Sequence, residues 1–185
     1  LALGDFADDK PFVVPPMPEG CLTAAEAQAE GLKLETPADG KTTYGAEVVV
    51  RGFVTFCYDA KTSDKTGRYC QSAWLADEAD AKSGLVQAYY AQVELGKEVV
   101  KGDYVEVRGQ LAHYRQVDKN DKTKVESVIE ITDPKDGACT MKRVKDLSEG
   151  IFNMNEDVKV MKTVINGQVV IIRGEKMYNM MGAEL

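Results

Sequence analysis

Residues 99–115 read VVKGDYVEVRGQLAHYR, and this stretch decides the fold class. Val105, Val107 and Leu111 fall on one parity, with Gly109 between them. A period of two belongs to a strand, whose successive side chains point to opposite faces. Gly102 supplies a turn before it. Gly109, inside the strand, marks a bulge or a sharp bend.

The same period continues on both sides. Upstream, EVVVRGFVTFCYD (47–59) places Val48, Val50, Val54 and Phe56 on one face and Val49, Arg51, Phe53, Thr55 and Cys57 on the other, with Gly52 in the middle. After the loop AKTSDKTG (60–67), RYCQSAWLAD (68–77) alternates Gln71, Ala73 and Leu75 against Cys70, Ser72, Trp74 and Ala76. LVQAYYAQV (85–93) is a third strand, 99–115 contains the fourth, and VESVIEITD (125–133) is the last. Five β segments, two of them long and carrying glycine, predict a coiled meander closed into a small barrel, because closure removes exposed sheet edges.

The flanks have their own organisation. Residues 1–20 hold Pro11, Pro15, Pro16 and Pro18 and read as an extended leader. Thr23 followed by Glu26 is a capping box that opens a short helix ending near Gly31. A domain over 21–140 follows from this, then a linker over 141–157. Residues 158–185 read as three short strands separated by Asn166-Gly167 and Arg173-Gly174, a β-hairpin or meander appendage.

Together GAEVVVRGFVT (45–55), SAWLAD (72–77) and residues 99–115 resemble the OB fold, the oligonucleotide/oligosaccharide-binding barrel, and in particular OB modules of exported bacterial proteins. PEGCLTAAEAQAEG (18–31) is similar to the helix that leads into such modules. Ala73 and Leu75 stand where that pattern favours bulkier residues. The ending GQVVIIRGEKMYNMMGAEL (167–185) resembles C-terminal segments of surface-exported proteins from Gram-negative anaerobes. These resemblances imply a mainly β chain: a five-stranded OB-type barrel with a short N-terminal helix and a C-terminal three-stranded β appendage. They also imply an exported protein, periplasmic, cell-surface or secreted. The first ten residues, LALGDFADDK, lack the basic start and apolar centre of a signal peptide, as a mature exported chain would. No run is long and apolar enough for a membrane-spanning helix.

Charge narrows the partners. The chain carries −7, with three Lys against eight Asp and Glu in residues 1–43, and near balance beyond. A nucleic-acid binder presents a basic face, so an oligosaccharide or a surface protein is favoured over single-stranded nucleic acid. The nucleic-acid alternative needs Arg51, Arg68, Arg108, Arg115 and Lys61 or Lys65 to converge on one groove.

Chemistry-bearing motifs are sparse. His113 is the sole histidine and reads as a surface or edge residue rather than a catalytic base. DGKTT (39–43) lacks the first glycine of a phosphate-binding loop. DKNDKTKVE (118–126) fails as a calcium loop and reads as a solvated turn. The expectation is a protein without catalysis, cofactor or metal site; a metal-dependent hydrolase using Asp77, Glu78 or Asp80 is the remote alternative.

On face assignment, Arg51, Phe53 and Thr55 face outward with Trp74. Tyr89 or Tyr90 does so on the third strand, a choice the residues leave open, and Tyr90 completes the ligand set. Cys57 and Cys70 share that outward face on adjacent strands, within disulfide reach. Cys57–Cys70 is the expected bridge, leaving Cys21–Cys139 to tie the helix to the barrel exit.

Overall fold

The computed structural model describes residues 12–144, with 160–165, 168–173 and 176–178 of the C-terminal region. The chain divides into two compact units, and the larger is Val14–Lys145. It is mainly β, with one short helix.

The helix, α1 (Ala24–Lys33), forms where the capping box predicts. The Thr23 hydroxyl accepts from the Glu26 amide at 3.2 Å, and the Glu26 carboxylate accepts from the Thr23 amide at 2.9 Å. Its small residues let it lie close against the strands. Ala24 and Ala27 are fully buried, and Gly31 abuts Ile129.

Preceding α1 is β1 (Cys21–Thr23). The strands after it are β2 (Thr42–Cys57), β3 (Lys61–Thr62), β4 (Tyr69–Ala76), β5 (Val86–Gln92), β6 (Tyr104–Val117), β7 (Val125–Thr132) and β8 (Thr140–Arg143). Antiparallel pairs join β2 to β4, β4 to β5, β7 to β6 and β6 back to β2, while β5 and β7 run parallel. The five longest strands therefore pair in a ring. Among the described residues three short strands extend this sheet beyond the five expected. β1 lies parallel to β2, β3 pairs with β4, and β8 pairs with β6 and meets β5. Residues 141–143, assigned to a linker by sequence, thus belong to β8.

Inside the ring lie Val50, Val54, Leu75, Val86, Val105, Val107 and Ile131, all fully buried. Each such side chain stabilises the fold by about 1.5–3 kcal/mol. Gly52 and Gly109 keep the β2–β6 register intact, so neither is a bulge. They are points of close approach. A Cβ at Gly52 would stand 2.8 Å from the Ala76 carbonyl oxygen, and one at Gly109 2.6 Å from that of Thr132.

The true irregularities lie elsewhere. Between Val54 and Phe56, β2 carries an extra residue against β4. The alternation therefore slips after Val54. Phe56, expected inside, is 52% exposed, while Cys57 packs against the core.

This slip disposes of the expected bridge. Cys57 sits opposite Ala73 and its thiol donates to the Val99 carbonyl at 3.4 Å, while Cys70 is paired with Lys61 and Gln92. Cys21 and Cys139 are also free thiols, so neither Cys57–Cys70 nor Cys21–Cys139 is formed. Cys21 lies on β1 beside Val49, whereas Cys139 is fully buried with its thiol on the Ile131 carbonyl.

In the C-terminal unit, β9 (Val160–Ile165), β10 (Gln168–Arg173) and β11 (Lys176–Tyr178) form a three-stranded antiparallel sheet. β9 and β10 pair across Asn166-Gly167, which lies outside the described residues, as do residues 1–11, 145–159 and 179–185.

Candidate ligand-binding site

On β4, Cys70, Ser72 and Trp74 alternate with Gln71, Ala73 and Leu75, and the latter two are core residues. Gln71 turns its amide inward to bridge loops: it donates to the carbonyls of Tyr58 and Val99 and accepts from the Val99 amide at 2.9 Å. Cys70, Ser72 and Trp74 therefore form a row on the outer face.

Opposite Ser72 the β4–β5 register shifts, so that Ser72 faces both Tyr89 and Tyr90. Tyr90 takes the left-handed backbone conformation, φ 49°, uncommon for an aromatic residue. The Ser72 hydroxyl accepts from the Tyr90 amide at 2.9 Å and replaces the ladder bond lost at the bulge. Consecutive tyrosines consequently project together, with ring centroids 4.9 Å apart and planes at 65°. Of the alternatives left open by sequence, Tyr89 and Tyr90, both line the same cavity.

They line a cavity of about 390 Å³. The 61–68 loop forms its opposite wall, held by the β3–β4 pairing and by the Ser63 amide on the Arg68 carbonyl at 2.8 Å. Lys61 places its ammonium 5.4 Å from the Tyr90 ring centroid, a cation–π contact. Arg68 is ion-paired with Asp133 at the end of β7, and Asp133 also accepts from the Cys139 amide at 2.8 Å. Thr62, Ser63, Thr66 and Thr132 add hydroxyls, while Asp64 and Lys65 complete the charged rim.

Beneath Tyr89 lies Glu130, 8% exposed and beside Gln87 and Ala112. Burial raises its carboxyl from 4.5 to about 7. Tyr89 is raised too, chiefly by burial and then by Glu130.

Three of the five expected ligand residues are occupied within the fold. Arg51 donates to Glu106 from Nε and Nη2 at 2.9 and 2.7 Å, and from Nη1 to the Pro16 carbonyl of the leader at 3.4 Å. Phe53 is 8% exposed against Tyr104, ring centroids 4.8 Å apart. Thr55 is buried and donates to the Trp74 carbonyl at 3.3 Å, and it lines the second cavity beside Trp74. Trp74 lines a second cavity of about 330 Å³ with Phe56, and Tyr90 lines the first.

Sequence reasoning missed Phe56 and the hydroxyl wall of Thr62, Ser63 and Thr66, and it named Tyr89 only as an alternative to Tyr90. The signal available was the doubled Tyr-Tyr opposite one serine, which a strict period of two cannot place.

Other sequence candidates fall away from the cavity. His113 is not at the surface; it is 2% exposed, and its Nε2 shares a 2.9 Å hydrogen bond with the Ser127 hydroxyl. Asp77 accepts from the Ala25 amide in the first turn of α1, at 3.2 Å. Arg108 pairs with Glu106, and Arg115 with Asp39. Of the four arginines expected to converge with Lys61 or Lys65, only Arg68 reaches the cavity, where both lysines also stand; Arg51, Arg108 and Arg115 do not.

Among the described residues no helix is long and apolar enough to cross a membrane. No family model, curated protein or solved structure matches the chain.

Proposed function

We propose that Val14–Lys145 is a five-stranded OB-type barrel serving as a non-enzymatic binding module outside the cytoplasm, and that its ligand is an oligosaccharide. Support for the barrel is the closed cycle of pairings, with the third and fifth long strands parallel. Its exported location rests on the resemblance of the C-terminal tail.

The observation that carries the ligand class is the Tyr89–Tyr90 bulge at the wall of a hydroxyl-lined cavity. Tyrosine rings offer an apolar platform for the face of a sugar. Thr62, Ser63, Thr66 and the Arg68–Asp133 pair offer directional hydrogen bonds to its edge. A concave pocket of this size favours a small polar ligand over the flat surface of a protein partner.

One observation favours a second reading, single-stranded nucleic acid: Lys61, Lys65 and Arg68 stand beside the tyrosines, and bases stack on such rings. Asp64 and Asp133 offset two of those charges, and Asp133 holds Arg68.

A glycan-array screen of the intact protein, with Tyr90→Ala as control, separates the readings when run beside mixed-sequence single-stranded DNA at low and high salt. Tyr90-dependent glycan binding that is indifferent to salt supports the first reading. Saturable DNA binding that weakens steeply with salt, with no glycan bound, replaces it by the second.

A further inference from the structure

Tyr89 and Tyr90 are not the only aromatic residues turned outward by a break in register. The extra residue in β2 places Phe56 opposite Trp74, and Phe56 remains 52% exposed. Tyr58 meets it edge-on, with centroids 5.0 Å apart and planes at 88°. Phe56 and Trp74 wall the second cavity of about 330 Å³, whose rim carries Lys82 and Ser83. Trp74 is held from behind by the 77–84 loop. A Cβ on Gly84 would stand 2.5 Å from that of Trp74, so the backbone lies directly against it.

Both cavities share the outer row of β4. Cys70 lines the first, Trp74 lines the second, and Ser72 stands between them. Cys70 and Trp74 are four residue steps apart along the strand, about 13 Å at ~3.3 Å per residue. That separation exceeds one sugar ring. Two flanking strands, β2 and β5, each spend a bulge to direct an aromatic residue beside this one row. Bulges that re-aim side chains are features of sites.

We infer that the two cavities are subsites of one groove, and that the ligand is a linear oligosaccharide of several units lying along β4 from Tyr89–Tyr90 to Phe56–Trp74. This rests on the oligosaccharide reading and extends it from a ring to a chain. Stacking on Phe56 and Trp74 adds affinity only for ligands long enough to reach them.

The test is a calorimetric titration with chitooligosaccharides and maltooligosaccharides of one to six units. Wild type, Phe56→Ala and Tyr90→Ala are compared, with Trp74 fluorescence read in parallel. Phe56 is exposed, and an unchanged thermal transition verifies that its variant folds. The expected result is affinity that rises about tenfold or more once the ligand spans both cavities. Phe56→Ala removes that gain and leaves short-ligand affinity unchanged, and Trp74 fluorescence responds only to the longer ligands. Binding that depends on Tyr90 but not on length or Phe56 overturns the extended groove while the oligosaccharide reading stands. If no saccharide of any length binds, both fall.

Discussion

Ser72 and Tyr90 are joined by a hydrogen bond of 2.9 Å from the Tyr90 amide to the Ser72 hydroxyl, across the point where β4 and β5 lose register. A side chain here does the work of a backbone carbonyl, and the Tyr90 amide is not left orphaned at the bulge. The consequence is chemical: two tyrosine rings stand on the same side of a strand, facing Lys61 and the 61–68 loop.

The backbone at Tyr90 is the first place to test this. Its φ of 49° suits glycine better than any residue with a Cβ. In an ordinary strand Gly is less stable than Ala. At this position the order reverses, and Tyr90→Gly is more stable than Tyr90→Ala by about 1 kcal/mol in urea unfolding. Equal stability, or Ala ahead, removes the strained conformation from the account.

Glu106 is 3% exposed and contacts Arg51, Arg108 and Lys142. Burial pushes its carboxyl up, but hydrogen bonds from Arg51 and Arg108 outweigh burial and hold it below its ordinary value. Because the folded value is depressed, its stabilisation is present above the ordinary carboxyl range and is lost as pH falls through the folded value. Glu106→Ala strands the half-buried Arg51 guanidinium and costs about 3 kcal/mol, measured by chemical denaturation at neutral pH. A loss under 1 kcal/mol contradicts a structural role for the Arg51–Glu106 pair.

Glu130 has the opposite sign. Its folded value is raised to about 7, so the native state keeps a proton that the unfolded chain gives up near 4.5. Stability therefore falls as pH rises from about 4.5 to 7, by on the order of 3 kcal/mol. Glu130→Gln removes that slope and raises the melting temperature at pH 8 more than at pH 4. Parallel pH profiles for the two proteins exclude a buried, protonated Glu130.

All four cysteines are free, and Cys139 is the most protected: burial pushes its thiol up to about 12. Thiol counting with Ellman's reagent in denaturant returns four thiols per chain. Without denaturant, Cys139 reacts slowest, because both access and thiolate are scarce. Two or fewer thiols in denaturant restores a disulfide.

The segments that pair in the ring were legible because long stretches of β2, β6 and β7 obey an unbroken period of two, as at Val50–Val54 and Val105–Val107. The short strands β3 and β8 were not, since two to four residues carry no period. The site was legible only in outline. Trp74 was chosen on parity, and parity holds along β4; on β5 it could not choose between Tyr89 and Tyr90, because the register shift opposite Ser72 breaks the period there. It failed for Phe56 and Cys57 because the bulge at Thr55 inverts the faces beyond it. Arg51 and Phe53 are engaged by Glu106 and Tyr104, which come from β6. A pairing that distant in sequence has no local signal.

The central claim is that the Tyr89–Tyr90 cavity takes an oligosaccharide. Amide chemical-shift mapping during titration with a pool of neutral oligosaccharides tests it most directly. The account predicts saturable shifts concentrated at residues 61–68, Tyr89, Tyr90 and Thr132, and absent in Tyr90→Ala. Shifts centred on Arg51 and Glu106, or no shifts at saturating pool concentration, would contradict it.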